Sequence, residues 1–294
     1  MDYRDLVFLS VAENLSISKA SKELFISQPA VTNHIKKLEE RLQVRLFDRK
    51  GNRIYLTATG SNVYASLKQI KQAYDDMEFR ITEMQNTHKG SLHIGASSSI
   101  AQYYLPHVVA AYNKRYPHIE IFLYNANSFQ VEQQLLADEI NLALVENKVS
   151  HPNIHYTEFL TDEIVVVTGS TSVYARKKSL QLSDLLKIPL VLREKGSGTL
   201  EVIKDTLQKQ GVAFEQLPVS MHLGSTEAIK NFLIGFDGIA LLSEKSIEKE
   251  LRLKELTKLK IKGVDFTRSF RVAQRQGEQN HIAKHFISFL LTYK

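Results

Sequence analysis

At 294 residues, with 43% hydrophobic and 24% charged side chains, the chain is long enough for two or three globular domains, each burying its own core. The absence of cysteine excludes disulfides, thiolate metal sites and thiol switches, and a formal charge of +6 favours an anionic partner. No apolar run reaches the roughly 18 residues of a membrane span, and MDYRDLVFLSVAEN lacks the pattern of a signal peptide, so a cytoplasmic protein with no membrane partner is expected.

Residues 1–15 read as a first helix, with Tyr3, Leu6, Val7, Leu9 and Leu15 available for packing. The stretch SISKASKELFISQPAVTNHIKKLEERL, residues 16–42, then reads as two short helices joined by a tight turn. Ser16 or Ser18 caps the first, which carries Ala20 and Leu24. Ser27 caps the second, and Pro29 suits its first turn, where an N–H lacks an intrahelical partner anyway. Val31, Ile35, Leu38 and Leu42 recur at helical spacing and are expected to face inward. The opposite face presents Gln28, Thr32, Asn33, Lys36 and Lys37, groups suited to base edges and phosphates. Charge is lopsided in the same sense: residues 28–60 hold seven Lys or Arg against three acids, whereas residues 1–27 hold three against four. A helix-turn-helix that places its second helix in the major groove of duplex DNA is the natural reading.

Val44, Leu46 and Phe47, then Ile54 and Leu56, flank a turn at Gly51-Asn52 and predict a β-hairpin wing. Lys50 or Arg53 at its tip would reach phosphates or a minor groove. From about Thr57 to Thr87 a long helix is predicted. Its apolar positions Val63, Leu67, Ile70, Tyr74, Met77, Ile81 and Met84 alternate in spacings of four and three, a seam that wants a partner helix and predicts a homodimer. Gly90 ends it.

From residue 91 short β-branched or aliphatic runs alternate with helical stretches. The runs include SLHIGA at 91–96, LALV at 142–145, EIVVVTG at 163–169, PLVL at 189–192 and FRVAQR at 270–275. This predicts an α/β region with a parallel sheet, long enough for two lobes and a cleft. Ligands bind such folds at the C-terminal ends of strands. Three loops qualify: Gly95 to Ser99, Arg193 to Thr199, and Gly224 to Thr226. Each places hydroxyls and free N–H groups at a helix start, where an anion is favoured. Ser97, Ser98, Ser99, Arg193, Gly196, Ser197, Gly198, Thr199, Ser225 and Thr226 are therefore the expected site for a small anionic or carboxylate-bearing effector.

An enzyme or a solute binder built on the α/β region, with the N-terminal part used for interaction, is the competing class. REKGSGT lacks P-loop spacing, and Lys195 stands where a G-x-S-x-G motif needs its first glycine. His151 and His155 flank Pro152, and no ligand set for a metal is legible, so neither a catalytic residue, a metal nor a cofactor is assigned.

On SISKASKELFISQPAVTNHIKKLEERL with RLFDRKGNRIYLTATG behind it, the long helix, and LGSTEAIKNFLIGFDGIALLS near the end, the chain closely resembles the LysR-type transcriptional regulators. The resemblance implies an α plus α/β architecture. It comprises a winged helix-turn-helix at 1–57, a dimerising linker helix at 58–90, and an effector-binding domain at 91–294 similar to type 2 periplasmic binding proteins. Lobe I would comprise 91–161 and 266–294, and lobe II 162–265. A dimer of dimers, hence a homotetramer, is also implied. The DNA-contacting set becomes Ser27, Gln28, Pro29, Ala30, Thr32, Asn33 and Lys36, with Arg53 on the wing. Asn33, Gln43 and Asp237 depart from the family pattern, which commonly has a basic residue, Gly and a small or apolar residue at these places, and REKGSGT resembles the loop of relatives linked to sulfur metabolism, which often continue with Arg where this chain has Leu200.

Overall fold

A computed structural model describes residues 1–51, 53–85, 90–146, 150–177, 179–277 and 280–293, without the side chains of 50, 53, 78, 80 and 82–85. The chain divides into two compact units, Met1–His88 with Ser288–Lys294, and Lys89–Ile287.

In the first unit, α1 (Tyr3–Asn14) is capped by Asp2, α2 (Ile17–Glu23) by Ser16 and α3 (Gln28–Leu42) by Ser27, whose hydroxyl accepts from the Ala30 N–H at 3.3 Å. The three helices close on Val7, Val11, Ala20 and Val31. Ala20 is fully buried, so a larger side chain would force the helices apart. Phe8, Leu9, Ala12, Leu38, Leu46 and Leu67 form a second cluster beneath. Leu42, expected to face inward, is 38% exposed instead. It is the last residue of α3, and Gln43 turns away in the left-handed region at φ 57°, the conformation usually given to glycine. The Gln43 amide offsets part of that cost by donating to the Glu40 carbonyl at 2.8 Å.

The wing pairs β1 (Phe47–Lys50) with β2 (Arg53–Leu56) in antiparallel register, Phe47 opposite Leu56. Val44, expected in the first strand, lies outside it. The N–H groups of Leu46 and Phe47 donate to the Glu39 carboxylate, Leu46 at 2.7 Å, so this stretch is tied to α3 instead. Gly51 sits at φ 60°, as the turn requires, and Asn52 lies outside the described residues.

Helix α4 (Ala58–Gln85) starts where the Thr57 hydroxyl accepts from the Gly60 N–H at 2.8 Å. A Cβ at Gly60 would stand 2.1 Å from the Leu46 carbonyl oxygen, so only glycine lets the helix approach the wing base. Of the predicted seam, Leu67 is buried, whereas Ile70, Tyr74, Met77 and Ile81 are 51%, 42%, 45% and 47% exposed. The Met84 side chain lies outside the described residues. On another face of α4, Gln72 accepts from the Thr292 hydroxyl at 2.8 Å, and Lys68 donates to the Leu291 carbonyl at 3.0 Å.

The second unit follows in the order β3 (Ser91–Ser97), α5 (Ser98–Tyr103), α6 (Leu105–Arg115), β4 (Glu120–Ala126), α7 (Ser128–Leu136), β5 (Leu142–Val145), β6 (Ile154–Gly169), β7 (Ser179–Leu180), β8 (Leu190–Arg193) and α8 (Gly198–Lys209). Then come β9 (Val219–Leu223), α9 (Thr226–Leu233), β10 (Ile239–Ser243), α10 (Glu248–Leu253), β11 (Leu256–Ile261), β12 (Phe266–Arg275) and α11 (His281–Thr292). The main sheet runs β4-β3-β5-β12-β6-β10-β8-β9, with β11 also paired to β6.

The sheet is mixed, not parallel as expected. β3 is parallel to β4 and β5, and β8 to β9 and β10, as crossover helices demand. The centre is antiparallel: β12 lies against β6 from Phe266 opposite Ile164 to Arg275 opposite Ile154. These two long strands are shared by two lobes, each with its own core. Val131, Leu135, Ile140, Ala143 and Val145 serve the first lobe. In the second, Val166 and Leu192 lie in one core cluster, while Val165, Val167 and Val191 lie in another. Alternate residues thus enter separate clusters, which explains the unbroken apolar run EIVVVTG.

Candidate functional site

In the helical unit the exposed start of α3 forms an open concave face lined by Ile17, Gln28, Pro29, Thr32, Asn33, Lys36 and Arg49. Ser27 and Lys37 are exposed beside it, and Ala30 is half-buried. The Thr32 hydroxyl donates to the Gln28 carbonyl at 3.1 Å, leaving its lone pairs outward. Lys36 approaches Glu40 at 3.8 Å with both side chains largely solvated, a pairing worth little and readily exchanged for a phosphate. The helix N-terminus adds partial positive charge at the same place. Arg53 is the first residue of β2, but its side chain, like that of Lys50, lies outside the described residues. Arg49, which in the sequence adds only to the basic count, joins the face from the wing.

In the sheet unit the strand ends bring the three predicted loops together. β3 ends at Ser97 and runs directly into α5, so Ser97, Ser98 and Ser99 are all buried. β8 ends at Arg193, which is 2% exposed, and the next loop starts α8 with Ser197 and Thr199 buried. Arg193 reaches across the cleft: Nη2 donates to the Ser98 hydroxyl at 3.3 Å, and Nη1 to the Thr226 hydroxyl at 3.2 Å. One guanidinium therefore ties the start of α5 in the first lobe to the start of α9 in the second.

A second buried arginine, which no sequence motif singles out, completes the cleft. Arg268 on β12 donates through Nε to Asp162 at 2.8 Å, through Nη1 to the Thr199 hydroxyl at 2.8 Å, and through Nη2 to the Ser99 hydroxyl at 3.1 Å. Its Nη1 also lies 2.9 Å from Glu146. Glu146 accepts from Ser97 at 3.1 Å and Thr199 at 3.0 Å, and Asp162 from Ser243 at 2.8 Å. Each nitrogen of the Arg268 guanidinium is matched, which is how a charge this deeply buried is tolerated. Glu146 directly follows β5, so the strand-end rule reaches it; Asp162 and Arg268 lie mid-strand, where that rule gives no signal.

Of the remaining predicted residues, Gly196 takes φ 89°, and its carbonyl accepts from the Phe129 N–H at 3.3 Å, another link between lobes. Ser197 is 1% exposed, yet its hydroxyl has no hydrogen-bond partner among the described residues. A buried hydroxyl left unpaired at the head of a twelve-residue helix is a group awaiting an acceptor or donor. Gly198 opens α8, and Ser225 is a half-buried N-cap without a side-chain bond. At the rim, the Tyr103 hydroxyl donates to Glu227, joining α5 to α9. Asp237, a departure from the family pattern, holds the chain locally, its carboxylate accepting from the Val173 N–H at 3.3 Å.

A helix-turn-helix with a wing, followed by a two-lobed domain with a buried polar network between its lobes, defines a ligand-responsive DNA-binding protein. Residues 6–61 match the model of the bacterial regulatory helix-turn-helix proteins of the lysR family, and residues 85–294 match the LysR substrate binding domain. The chain belongs to the LysR family of transcriptional regulators. It is 33% identical to the regulator YeiE of Escherichia coli over 96% of this chain and 94% of that one. To the transcriptional activator CmpR of Synechocystis it is 28% identical, over 98% and 93%. The regulatory domain of Synechocystis CcmR, solved in complex with 2-PG, superposes with a TM-score of 0.62 at 28% identity, covering 69% of this chain and 96% of that one. Among the described residues no helix is long and apolar enough to cross a membrane.

Proposed function

We propose that this regulator reads promoter DNA with Ser27 to Ala30, Thr32, Asn33 and Lys36 of α3 and Arg53 of the wing, and that a small anion held in the cleft controls the outcome. The division of labour follows the family: 1–57 for DNA, 58–90 for pairing, and 91–294 for the effector, with lobes meeting along β6 and β12. Pairing through α4 gives a dimer, and two dimers a tetramer, so that several half-sites are engaged in the cytoplasm. The cleft binds without turnover and needs no cofactor.

The observation that carries the effector reading is Arg193. It is a guanidinium 2% exposed, bonded to hydroxyls from both lobes, with the unpaired Ser197 hydroxyl on the same loop. Such a group stabilises an oxyanion by charge and by its planar donor edge. The complex of the CcmR regulatory domain with 2-PG, that is 2-phosphoglycolate, supports an oxyanion of this kind. The test is calorimetric titration of the full chain with 2-phosphoglycolate, inorganic phosphate and sulfate. Arg193→Ala should abolish binding of whichever anion binds, and abolish the reporter response, while the chain still occupies its own upstream DNA. A variant that responds as the parent does would remove the loop from the site.

A further inference from the structure

The two buried arginines of the cleft are not equivalent. Arg268 is held by Glu146 and Asp162, whose side chains are 1% exposed, so that neither acid can leave without being stranded. Arg193 is paired with its own neighbour in the chain. Nε donates to one Glu194 carboxylate oxygen at 2.8 Å, and Nη2 to the other at 3.0 Å. This parallel two-bond fork is the one a carboxylate or phosphate ligand would make. The Glu194 side chain is 26% exposed, so its carboxylate regains water when it swings out. The backbone need not follow, because the Ser197 N–H donates to the Glu194 carbonyl at 3.2 Å and fixes the turn.

Resting on the anion-site reading above, we propose that Glu194 is a tethered competitor. An oxyanion effector enters by displacing the Glu194 carboxylate from the Nε and Nη2 edge of Arg193, and the strength of that internal pair decides which anions qualify. A tethered group stands at an effective concentration of about a millimolar or more, which any free ligand must overcome. Anions offering two oxygens in one plane, such as phosphate monoesters and sulfate, replace both bonds at once. Halides replace neither with the right geometry. Glu194 thus acts as a specificity-determining residue that keeps the cleft silent toward halides and admits oxyanions that can replace both bonds.

Titration of the full chain with 2-phosphoglycolate, phosphate, sulfate and chloride tests this in four variants. Glu194→Gln should tighten binding of the oxyanions about tenfold, the range set by a charge-assisted pair, and should admit anions the parent rejects. Glu194→Asp keeps the charge but withdraws the carboxylate by one methylene, and should tighten binding about threefold. Glu201→Gln removes an exposed acid from the first turn of the same helix, out of contact with Arg193, and should change affinity less than twofold. Equal affinities for the parent, Glu194→Gln and Glu194→Asp, with binding lost in Arg193→Ala, would overturn the competitor while sparing the site. Tightening by Glu194→Gln and Glu201→Gln alike, with Glu194→Asp unchanged, would reduce the effect to net charge and also overturn it. Binding that survives Arg193→Ala, or no binding by any variant, would sink the anion-site reading and this inference with it.

Discussion

Arg268 and Asp162 stand directly opposite each other on the β12–β6 ladder, third pair from the end that starts at Phe266 and Ile164, and the arginine Nε donates to the aspartate at 2.8 Å. The same guanidinium reaches Ser99 of the first lobe and Thr199 of the second. Arg268→Ala therefore leaves Asp162 and Glu146 buried without a counter-charge, and should destabilise the α/β unit by about 3–5 kcal/mol. A shift of the urea midpoint at constant slope is the expected readout. A change below about 1 kcal/mol would mean that water replaces the guanidinium freely.

The same pair fixes a pH dependence. Burial pushes the Asp162 carboxyl up from its ordinary 3.8, outweighing the attraction of Arg268 and the Ser243 hydrogen bond. The native chain thus holds this proton to higher pH than the unfolded chain. The contribution of Asp162 to stability is complete below 3.8 and declines as pH rises through the elevated native value. Asp162→Asn lacks that titration. The stability difference, parent minus variant, should hold steady below pH 3.8 and fall as pH rises above it, measured by denaturation at each pH. A difference that grows with pH would contradict the assignment.

How legible this cleft is in the sequence depends on where each residue sits. Val165 and Val167 are readable as strand because both faces of their strand are buried, giving a continuous apolar run. The preceding HYTEFLTD, though part of the same strand, carries a mixed pattern and gives no signal, so Asp162 is lost with it. Arg268 is lost for the same reason, since it precedes the apolar run by which its strand is recognised. Ser97 to Ser99, Arg193 and Thr226 are legible because they follow strands and open helices. The two halves of an ion pair far apart in sequence leave no local trace, and only the register of β6 and β12 brings them together.

Gly196 offers a test of lobe contact that leaves every charge in place. Its φ of 89° is strained for any residue with a side chain, and a Cβ there would lie 3.1 Å from the Asn127 side-chain Oδ1 and 3.3 Å from the Phe129 Cβ. Asn127 caps α7, so its side chain cannot yield without losing the bond to the Gln130 N–H at 3.0 Å. Gly196→Ala should lower stability by about 1–3 kcal/mol and weaken effector binding, read by thermal shift with and without anion. An unchanged melting temperature would show that the loop adjusts at no expense.

Asn33 is exposed on the concave face, one residue past Thr32, and its amide can pair bidentately with an adenine edge. Asn33→Ala should relax preference at one base pair of each half-site by about 1–3 kcal/mol, with the parent's salt dependence retained. Competition binding with single-base variants of the upstream fragment measures it. Equal losses on every sequence, with a shallower salt slope, would make Asn33 a backbone contact instead.

The exposed seam of α4 carries the final prediction. Ile70, Tyr74, Met77 and Ile81 stand at spacings of four, three and four, each more than 40% exposed, on a helix whose other face is occupied by Leu291 and Thr292. Four large apolar side chains in one stripe are unfavourable in water and well matched to a second copy of the same helix. Burying them in a dimer recovers about 1.5–3 kcal/mol for each fully covered side chain, against the cost of association. Ile70→Glu with Met77→Glu places like charges in that seam and should give monomers by sedimentation, while the fold of each unit persists by circular dichroism. Binding to a two-half-site fragment should then fall to the level of a single half-site, because the second reading helix is no longer held at a fixed spacing. A double variant that remains dimeric would move the pairing surface elsewhere on the chain.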